Sequence, residues 1–462
     1  MKKRVLLIAI LLVNFSLNAQ CWNSIYESGY GYNCFKIRND GTLWANGDGM
    51  YINGNTTDPN NIITSPNQVG TANNWKSVSN GVYHIAAVKT DGTLWAWGAN
   101  SFGQLGNGNN NNTNPSNYIP AQIGTASNWK TVSAGSNFNI AIKTDGTLWA
   151  WGLNFIGNLG DGTTINTYSP IQIGTANNWN VVSTYYSSCF AIKTDGTLWA
   201  WGSNSTGILG DGTTINKSTP TQIGTANNWK SISVSTHILA LKTDGTLWSW
   251  GMNSYGELGN GNNNNTNPSN YIPTQIGTAT NWKSVSAGRE QSLATKTDGT
   301  LWAWGLNDYG QLGDGTNIDK STPIQIGTSN NWKQVTAGNW FSTALKTDGT
   351  LWACGLNSYG QLGDGTTINK NILTQNICTA LDTETFETMG IKLYPNPVIN
   401  ILNIKTDNHL IIQPFTIVDG LGRVVLNGKL NDVDTTINVE QLTKGIYYLK
   451  TAGNSATKFI KE

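Results

Sequence analysis

The sequence predicts an all-β chain, a seven-bladed β-propeller followed by a small β-sandwich. Three observations predict it. The segment Asp-Gly-Thr-Leu-Trp recurs seven times, beginning at Asp40, Asp91, Asp145, Asp195, Asp244, Asp298 and Asp348, at steps of 49 to 54 residues, a period typical of propeller blades. Each copy lies among four short strand candidates separated by Gly, Asn and Thr. Beyond the last copy the repeat stops, and a tail of about 70 residues carries its own alternating strands and turns.

The repeated core is a hairpin. Asp-Gly between two apolar runs supplies the positive φ that a tight primed turn needs. The strand after it alternates, with Thr93, Trp95 and Trp97 on one side and Leu94 and Ala96 on the other. Both sides are apolar, as in a sheet packed between two neighbouring sheets. Nineteen of the 20 tryptophans stand at repeat positions, which assigns them to packing between blades rather than to stacking on a ligand. The exception is Trp340.

The link from Gln-Ile-Gly to the next Trp is short, and the link from Trp-Gly to the next Gln-Ile-Gly is about 20 residues. Short links usually join strands within a sheet. A blade is therefore expected to be a Gln-Ile-Gly strand plus the three that follow it. The mature chain begins without such a strand, and a spare one, Leu373 to Cys378, follows the last repeat. The spare strand is expected to complete the first blade and close the ring.

Residues 1–19 read as a secretory signal peptide: Lys2, Lys3 and Arg4, an apolar run from Val5 to Val13, then Leu17-Asn-Ala. The expected organisation is this segment, a propeller over 20–378, a linker over 379–388 and a C-terminal domain over 389–462. Charged residues make up 12% of the chain and the net charge is +1. No basic stripe points to nucleic acid. Export permits disulfides, and Cys21 and Cys378 flank the turn that ring closure interrupts, so a Cys21–Cys378 bridge is expected. Cys34 and Cys189 share one repeat position in different blades and cannot meet. Cys354 replaces a packing Trp and reads as a buried thiol.

The segment Asn107 to Pro120 recurs from Asn260 to Pro273. It lacks the carboxylates that calcium requires and reads as a loop insertion. No catalytic triad spacing, phosphate loop or metal motif stands out, so no cofactor, no metal and no catalytic residue is expected.

The pattern Ala-Gly-x-x-His/x-(Ser)-x-Ala-Leu-Lys-Thr-Asp-Gly-x-Leu-Trp-x-Trp-Gly-x-Asn-x-x-Gly-Gln-Leu-Gly resembles the regulator-of-chromosome-condensation repeat over residues 21–378. The resemblance implies a seven-bladed propeller closed by a shared blade. Blade 1 departs from it, with Asn46 in place of the second Trp and no Gly-Gln-Leu-Gly after Asp48. His84 and His237 match a histidine that lies on the partner-binding face in nuclear members. Those members exchange nucleotide on a small GTPase through an inserted wedge that these repeats lack, so neither exchange nor such a partner is expected here.

If the repeat is scaffold, function belongs where the copies differ most, in the turn after the Val-Ser-Ala-Gly strand. Those turns fall on one side of the ring. Aromatic residues and arginine are the usual anchors of interfaces, which singles out Tyr32, Tyr83, His84, Phe138, Tyr186, His237, Arg289, Trp340 and Phe341 as binding candidates. The bland alternatives are neutral drift of exposed turns and aromatic plugging of the channel. The expected activity is non-enzymatic binding of an extracellular protein or glycan. The alternative is a polysaccharide-degrading enzyme whose carboxylates come from several blades, and a third is a mere spacer.

The tail carries Tyr394-Pro-Asn-Pro, Gly422-Arg-Val-Val, Gly445-Ile-Tyr-Tyr-Leu and Lys458-Phe-Ile-Lys in that order. This set resembles the type IX secretion sorting domain of Bacteroidetes. The resemblance implies inner-membrane export by the signal peptide and outer-membrane passage through the type IX machinery, which reads residues 389–462. It also implies removal of the tail, with release or attachment at the cell surface.

Overall fold

A computed structural model describes residues 22–27, 31–49, 62–111, 113–264, 268–376, 392–405, 414–419, 423–430, 432, 434–451 and 456–462. The chain divides into two compact units, Met1–Cys378 and Thr379–Glu462.

Seven four-stranded antiparallel sheets make up the first unit. Blade 1 consists of Trp22–Tyr26, Asn33–Arg38, Leu43–Asp48 and Ile62–Gln68, and blade 7 of Trp332–Ala337, Phe341–Lys346, Leu351–Gly355 and Lys370–Asn376. The first strands of successive blades touch around the ring, so they are innermost and line the central channel.

The strand order corrects the expected blade. Gln68, Gln122, Gln172 and Gln375 pair with Trp44, Trp95, Trp149 and Trp352, so the Gln-Ile-Gly strand is the outer edge of the preceding sheet. The spare strand belongs to blade 7 itself, and among the described residues no blade draws strands from both ends of the propeller. Link length misled because the long connection is a folded loop that returns to its own sheet. The short link spans about 20 Å when extended, enough to cross four strands spaced about 4.8 Å apart. It does so over the preceding Asp-Gly turn, where Trp129 N–H bonds Gly92 O at 2.9 Å and Thr144 N–H bonds Asn128 O at 2.8 Å. Gly92 (φ 77°) is required there, since a Cβ would come within 2.2 Å of Ser127 O.

The repeated core is a hydrogen-bonded clip. Asp91 Oδ1 accepts the Thr93 N–H at 2.9 Å and its hydroxyl at 2.6 Å, and Thr93 Oγ1 accepts the Trp95 indole N–H at 2.8 Å. Lys89 Nζ lies 3.5 Å from the Trp95 ring centre and 4.7 Å from that of Trp75, a cation–π contact. The same clip recurs in the other blades, with Arg38 replacing the lysine in blade 1. Every residue of Lys-Thr-Asp-Gly-Thr-x-Trp is thus structural.

In blades 3 to 6 the second Trp of the hairpin locks neighbouring blades. Trp151, Trp201, Trp250 and Trp304 are fully buried. Each donates its indole N–H to a main-chain carbonyl in the loop of the preceding blade: Gln104 at 3.0 Å, Asn158 at 3.1 Å, Ile208 at 2.9 Å and Glu257 at 2.7 Å. At the closing seam Asn46 replaces the indole and donates to Gly360 O at 2.9 Å and Gln361 O at 2.8 Å. The volume left over is filled by Lys36, wholly buried, whose Nζ bonds Asn46 Oδ1 at 2.6 Å. At the position of Lys36 the other blades carry Ala87, Ala141, Ala191, Ala240, Ala294 and Ala344. Further bonds close the ring, from Gln334 Nε2 to Ile25 O at 2.7 Å and from Thr343 Oγ1 to Glu27 at 2.6 Å.

The second unit holds a three-stranded sheet (Lys392–Tyr394, Ile401–Lys405, Asp434–Asn438) and a four-stranded one (Pro414–Asp419, Val424–Lys429, Gly445–Thr451, Ala456–Lys461). Leu402, Ile404, Phe415, Ile417, Leu449 and Phe459 form its core. Cys34, Cys189 and Cys354 are buried free thiols. The expected Cys21–Cys378 bridge, the signal segment and the linker lie outside the described residues.

Candidate functional site

Antiparallel pairing puts the turn between strands one and two at the same end of each sheet as the loop leaving strand three. His84, which opens a second strand, sits opposite Gly98, which ends a third. The Asp-Gly turns occupy the other end. The variable turns and the Asn-x-x-Gly-Gln-Leu-Gly loops therefore share one face.

The loops are held from within by a buried asparagine. Asn154 Nδ2 bonds Asp161 Oδ1 at 3.1 Å and the Thr163 and Ile165 carbonyls at 3.2 Å, and Asn154 Oδ1 accepts the Leu159 N–H at 2.9 Å. Asn204, Asn307 and Asn357 repeat the arrangement. The position two residues after this asparagine is free to vary, and it reads Phe102, Ile156, Thr206, Tyr255, Tyr309 and Tyr359 around the ring.

Four of the expected binding residues are not on the face. His84, Phe138, His237 and Phe341 are fully buried. Each opens its second strand and folds beneath the end of the first, where a small residue is needed. A Cβ on Gly81 would lie 2.4 Å from His84 Cε1, one on Gly135 2.0 Å from Phe138 Cε1, and one on Gly338 2.2 Å from Phe341 Cε1. This is why the repeat carries Ala-Gly before the turn. His84 Nε2 lies 3.1 Å from Asn139 Oδ1, and His237 Nε2 lies 2.7 Å from Ser292 Oγ. Burial pushes their pKa values down to about 4 and about 3, so both rings are neutral packing groups near pH 7.

Tyr83 and Tyr186 are on the face, 49% and 59% exposed, on blades 2 and 4. Tyr32, Arg289 and Trp340 come together where blades 6, 7 and 1 meet. Trp340 lies in the left-handed region, φ 64°, which costs a bulky residue roughly 1–3 kcal/mol and often marks a functional constraint. Its indole N–H donates to Glu290 Oε2 at 2.7 Å. The Arg289 guanidinium carbon lies 4.7 Å from its ring centre, and the Tyr309 ring packs against it at 5.5 Å. Tyr32 lies 6.5 Å from Trp340 and stacks on Tyr359 at 4.4 Å, interplanar 20°. Arg289 also donates to Asn339 Oδ1 at 3.4 Å. Burial holds the Tyr32 hydroxyl pKa above its ordinary value, with a smaller contribution from Tyr359.

Sequence reasoning missed Tyr309, Tyr359 and Glu290. The first two were concealed because they sit inside a recurring loop motif, although their position varies as freely as the turns. Glu290 was passed over in favour of the Arg289 beside it.

Next to the cluster lies Glu257, fully buried, which replaces the Gln of Gly-Gln-Leu-Gly. Its Oε2 accepts the Tyr255 N–H at 2.8 Å. Burial, with smaller contributions from Glu290 and Asp319, pushes its pKa up to about 7. The channel forms a second polar site, a cavity of about 120 Å³ lined by Glu27, Ser79, Ser133, Ser183, Ser233 and Ser286 among others. Its serines are cross-blade caps, as where Ser79 Oγ accepts the Ala134 N–H and Ser286 Oγ the Ala337 N–H. Among the described residues no three His, Cys, Asp or Glu side chains converge where they could hold a metal ion.

Residues 175–408 match the RCC1-like domain, and residues 91–142 and 145–188 match the regulator of chromosome condensation (RCC1) repeat. The chain belongs to the RCC1 repeat family. Residues 392–462 match the secretion system C-terminal sorting domain, which directs export to the cell surface or beyond through the type IX secretion machinery. The chain is 38% identical over 84 residues to the X-linked retinitis pigmentosa GTPase regulator homolog of Caenorhabditis elegans, covering 18% of this chain and 6% of that protein. It is 37% identical over 87 residues to the ultraviolet-B receptor UVR8 of Arabidopsis thaliana, 19% of each. These matches span less than a fifth of either relative's length. Yeast RCC1 (Prp20), solved bound to Kap60, superposes with TM-score 0.65 at 20% identity, covering 85% of this chain and 93% of that one. Human WBSCR16 gives TM-score 0.62 at 17% identity over 73% and 94%. At such identities the superpositions establish the propeller fold and nothing finer.

Proposed function

We propose that this exported propeller is a binding module that holds an extracellular protein or glycan on the face of the variable turns, without chemical turnover. The observation that carries the reading is the cluster of Tyr32, Arg289, Glu290, Tyr309, Trp340 and Tyr359, gathered from three blades. Tyr, Trp and Arg dominate interface energetics. Here they are stacked and hydrogen-bonded before any ligand arrives, which lowers the ordering cost of binding. The rest of the repeat has a structural role, whereas Trp340 sits in a strained turn that the fold does not require.

The test is affinity capture from extracellular material with the full chain and with a Tyr32→Ala, Trp340→Ala, Tyr359→Ala variant of matched thermal stability. A protein or polysaccharide retained by the wild type and lost by the variant supports the reading, and equal capture by both removes it.

The competing reading, a polysaccharide-degrading enzyme, rests on Glu257 and Glu290, two carboxyls in unequal environments. Complete burial of Glu257 keeps it from a polymer, which favours binding alone. Turnover of any polysaccharide that disappears in Glu290→Gln would favour the enzyme. Nucleotide exchange on a small GTPase is no part of the proposal, because export removes the chain from that partner.

A further inference from the structure

We infer that the ligand of this face is an uncharged polysaccharide, an inference that rests on the binding reading above and names its ligand class.

Charge at the variable-turn end of the propeller is sparse and largely paired. The Asp-Gly end carries a cation and a carboxylate in every blade, from Arg38 and Asp40 to Lys346 and Asp348. On the opposite face, the described variable turns and the loops from Ala99, Leu153, Ser203, Met252, Leu306 and Leu356 to their Gly-x-Leu-Gly segments contain as charged residues Glu257, Arg289, Glu290 and Asp308, and the same loops run on to Asp161, Asp319 and the ion pairs Asp211–Lys217, Asp314–Lys320 and Asp364–Lys370. Glu257 is buried and Arg289 faces Glu290 at 3.9 Å, so the surface offers a polyanion no field to follow. Nucleic acids and acidic polysaccharides are thereby disfavoured.

What the face does offer is flat aromatic rings set among amides, hydroxyls and glycines. Phe102, Phe155, Tyr255 and Tyr359 are exposed on the loops of blades 2, 3, 5 and 7, and Tyr309 supplies the ring in blade 6. The electron-rich face of an aromatic ring attracts the slightly positive C–H face of a pyranose ring. The part-exposed Glu290 carboxylate beside them has acceptor capacity for hydroxyls beyond its bond from Trp340. Rings that recur from blade to blade, at or beside one repeat position, suit a ligand that is itself a repeating chain. A protein interface asks instead for a contiguous, well-packed apolar centre, and the Asn, Ser and Gly between these rings do not provide one.

The test is affinity electrophoresis of the full chain in native gels containing neutral glucans, mannans, xylans or galactans, or the anionic polymers alginate and polygalacturonate. The variants are Tyr359→Ala and Tyr359→Phe, each checked for an unchanged thermal midpoint. Retardation by at least one neutral polymer, weakened about tenfold or more by Tyr359→Ala and kept by Tyr359→Phe, is expected, since the ring face rather than the hydroxyl makes the contact. Retardation only by the anionic polymers, abolished by salt, would overturn the inference. So would the absence of any retardation alongside capture of a protein that the triple variant loses, and in that case the binding reading itself survives. Failure of both assays removes both.

Discussion

Trp340 donates its indole N–H to Glu290 across the seam between blades 7 and 6 at 2.7 Å, while its backbone holds a φ of 64°. A bulky side chain in a strained turn, tied to a carboxylate on the next blade, is fixed at the expense of local stability. Position and strain together separate this tryptophan from those of the repeat.

The separation can be measured. Trp340→Gly relieves the left-handed strain, roughly 1–3 kcal/mol, while losing stacking and cation–π contacts of comparable size. Its unfolding free energy is expected to stay within about 1 kcal/mol of wild type in denaturant titrations, with ligand capture abolished. Trp151→Ala, which empties a fully buried interblade slot, is expected to cost about 3–5 kcal/mol. Equal losses for the two would mean that Trp340 is another packing residue.

Blade 1 supplies a second prediction. Lys36 and Asn46 together replace the Ala and Trp of blades 2 to 6, so each alone is out of place. Asn46→Trp leaves an indole competing with the Lys36 chain for one volume and is expected to destabilise by about 1–3 kcal/mol. Adding Lys36→Ala is expected to recover most of that loss, a coupling that a double-mutant cycle of thermal midpoints reads directly. Additive effects would contradict the coordinated exchange.

Glu257 makes the stability pH-dependent. Its carboxyl titrates at about 7 in the folded chain against 4.5 when unperturbed, so between those values the folded state holds a proton that the unfolded state has released. The stability it contributes is full below pH 4.5 and is lost as the pH rises through about 7. Glu257→Gln, which installs the residue present at Gln104, Gln311 and Gln361, is expected to raise the thermal midpoint at pH 8 and to leave it nearly unchanged at pH 4. A midpoint raised equally at both would exclude a titrating carboxyl.

The histidines act in the opposite sense. His84 and His237 titrate near 4 and 3 when folded against 6.5 unperturbed, so their contribution is present above pH 6.5 and lost as the pH falls toward those values. Blade 6 carries Gln291 at the position of His84, which makes His84→Gln a conservative exchange. It is expected to reduce the loss of stability between pH 6.5 and 4 in thermal melts. An unaltered pH profile would show that burial of His84 is not what sets it.

The fold was legible because its determinants are local and repeated. Asp-Gly turns, the alternation of Trp95 and Trp97 and the recurring period fix hairpins and their number without any long-range information. Which sheet the Gln-Ile-Gly strand joins was not legible. That depends on the Asn154-type loop folding back on its own blade, a network of one side chain with distant carbonyls that loop length cannot reveal. The candidate site was legible only in part. Variation between copies selected Tyr32, Arg289 and Trp340, which lie together, but the same criterion selected His84, Phe138, His237 and Phe341, which are buried beneath a small residue of the turn. Lys36 escaped notice since a lysine on a strand is ordinarily solvated, and only its pairing with Asn46 explains a buried one.

We propose that ligand sits on the three-blade cluster. Hydroxyl-radical footprinting of the full chain, with and without the captured ligand, tests that claim most directly. Protection of Tyr32, Trp340 and Tyr359, with Trp95 and Trp149 at the Asp-Gly end unchanged, is the predicted result. Protection confined to the Asp-Gly end, or none on the turn face, would contradict it.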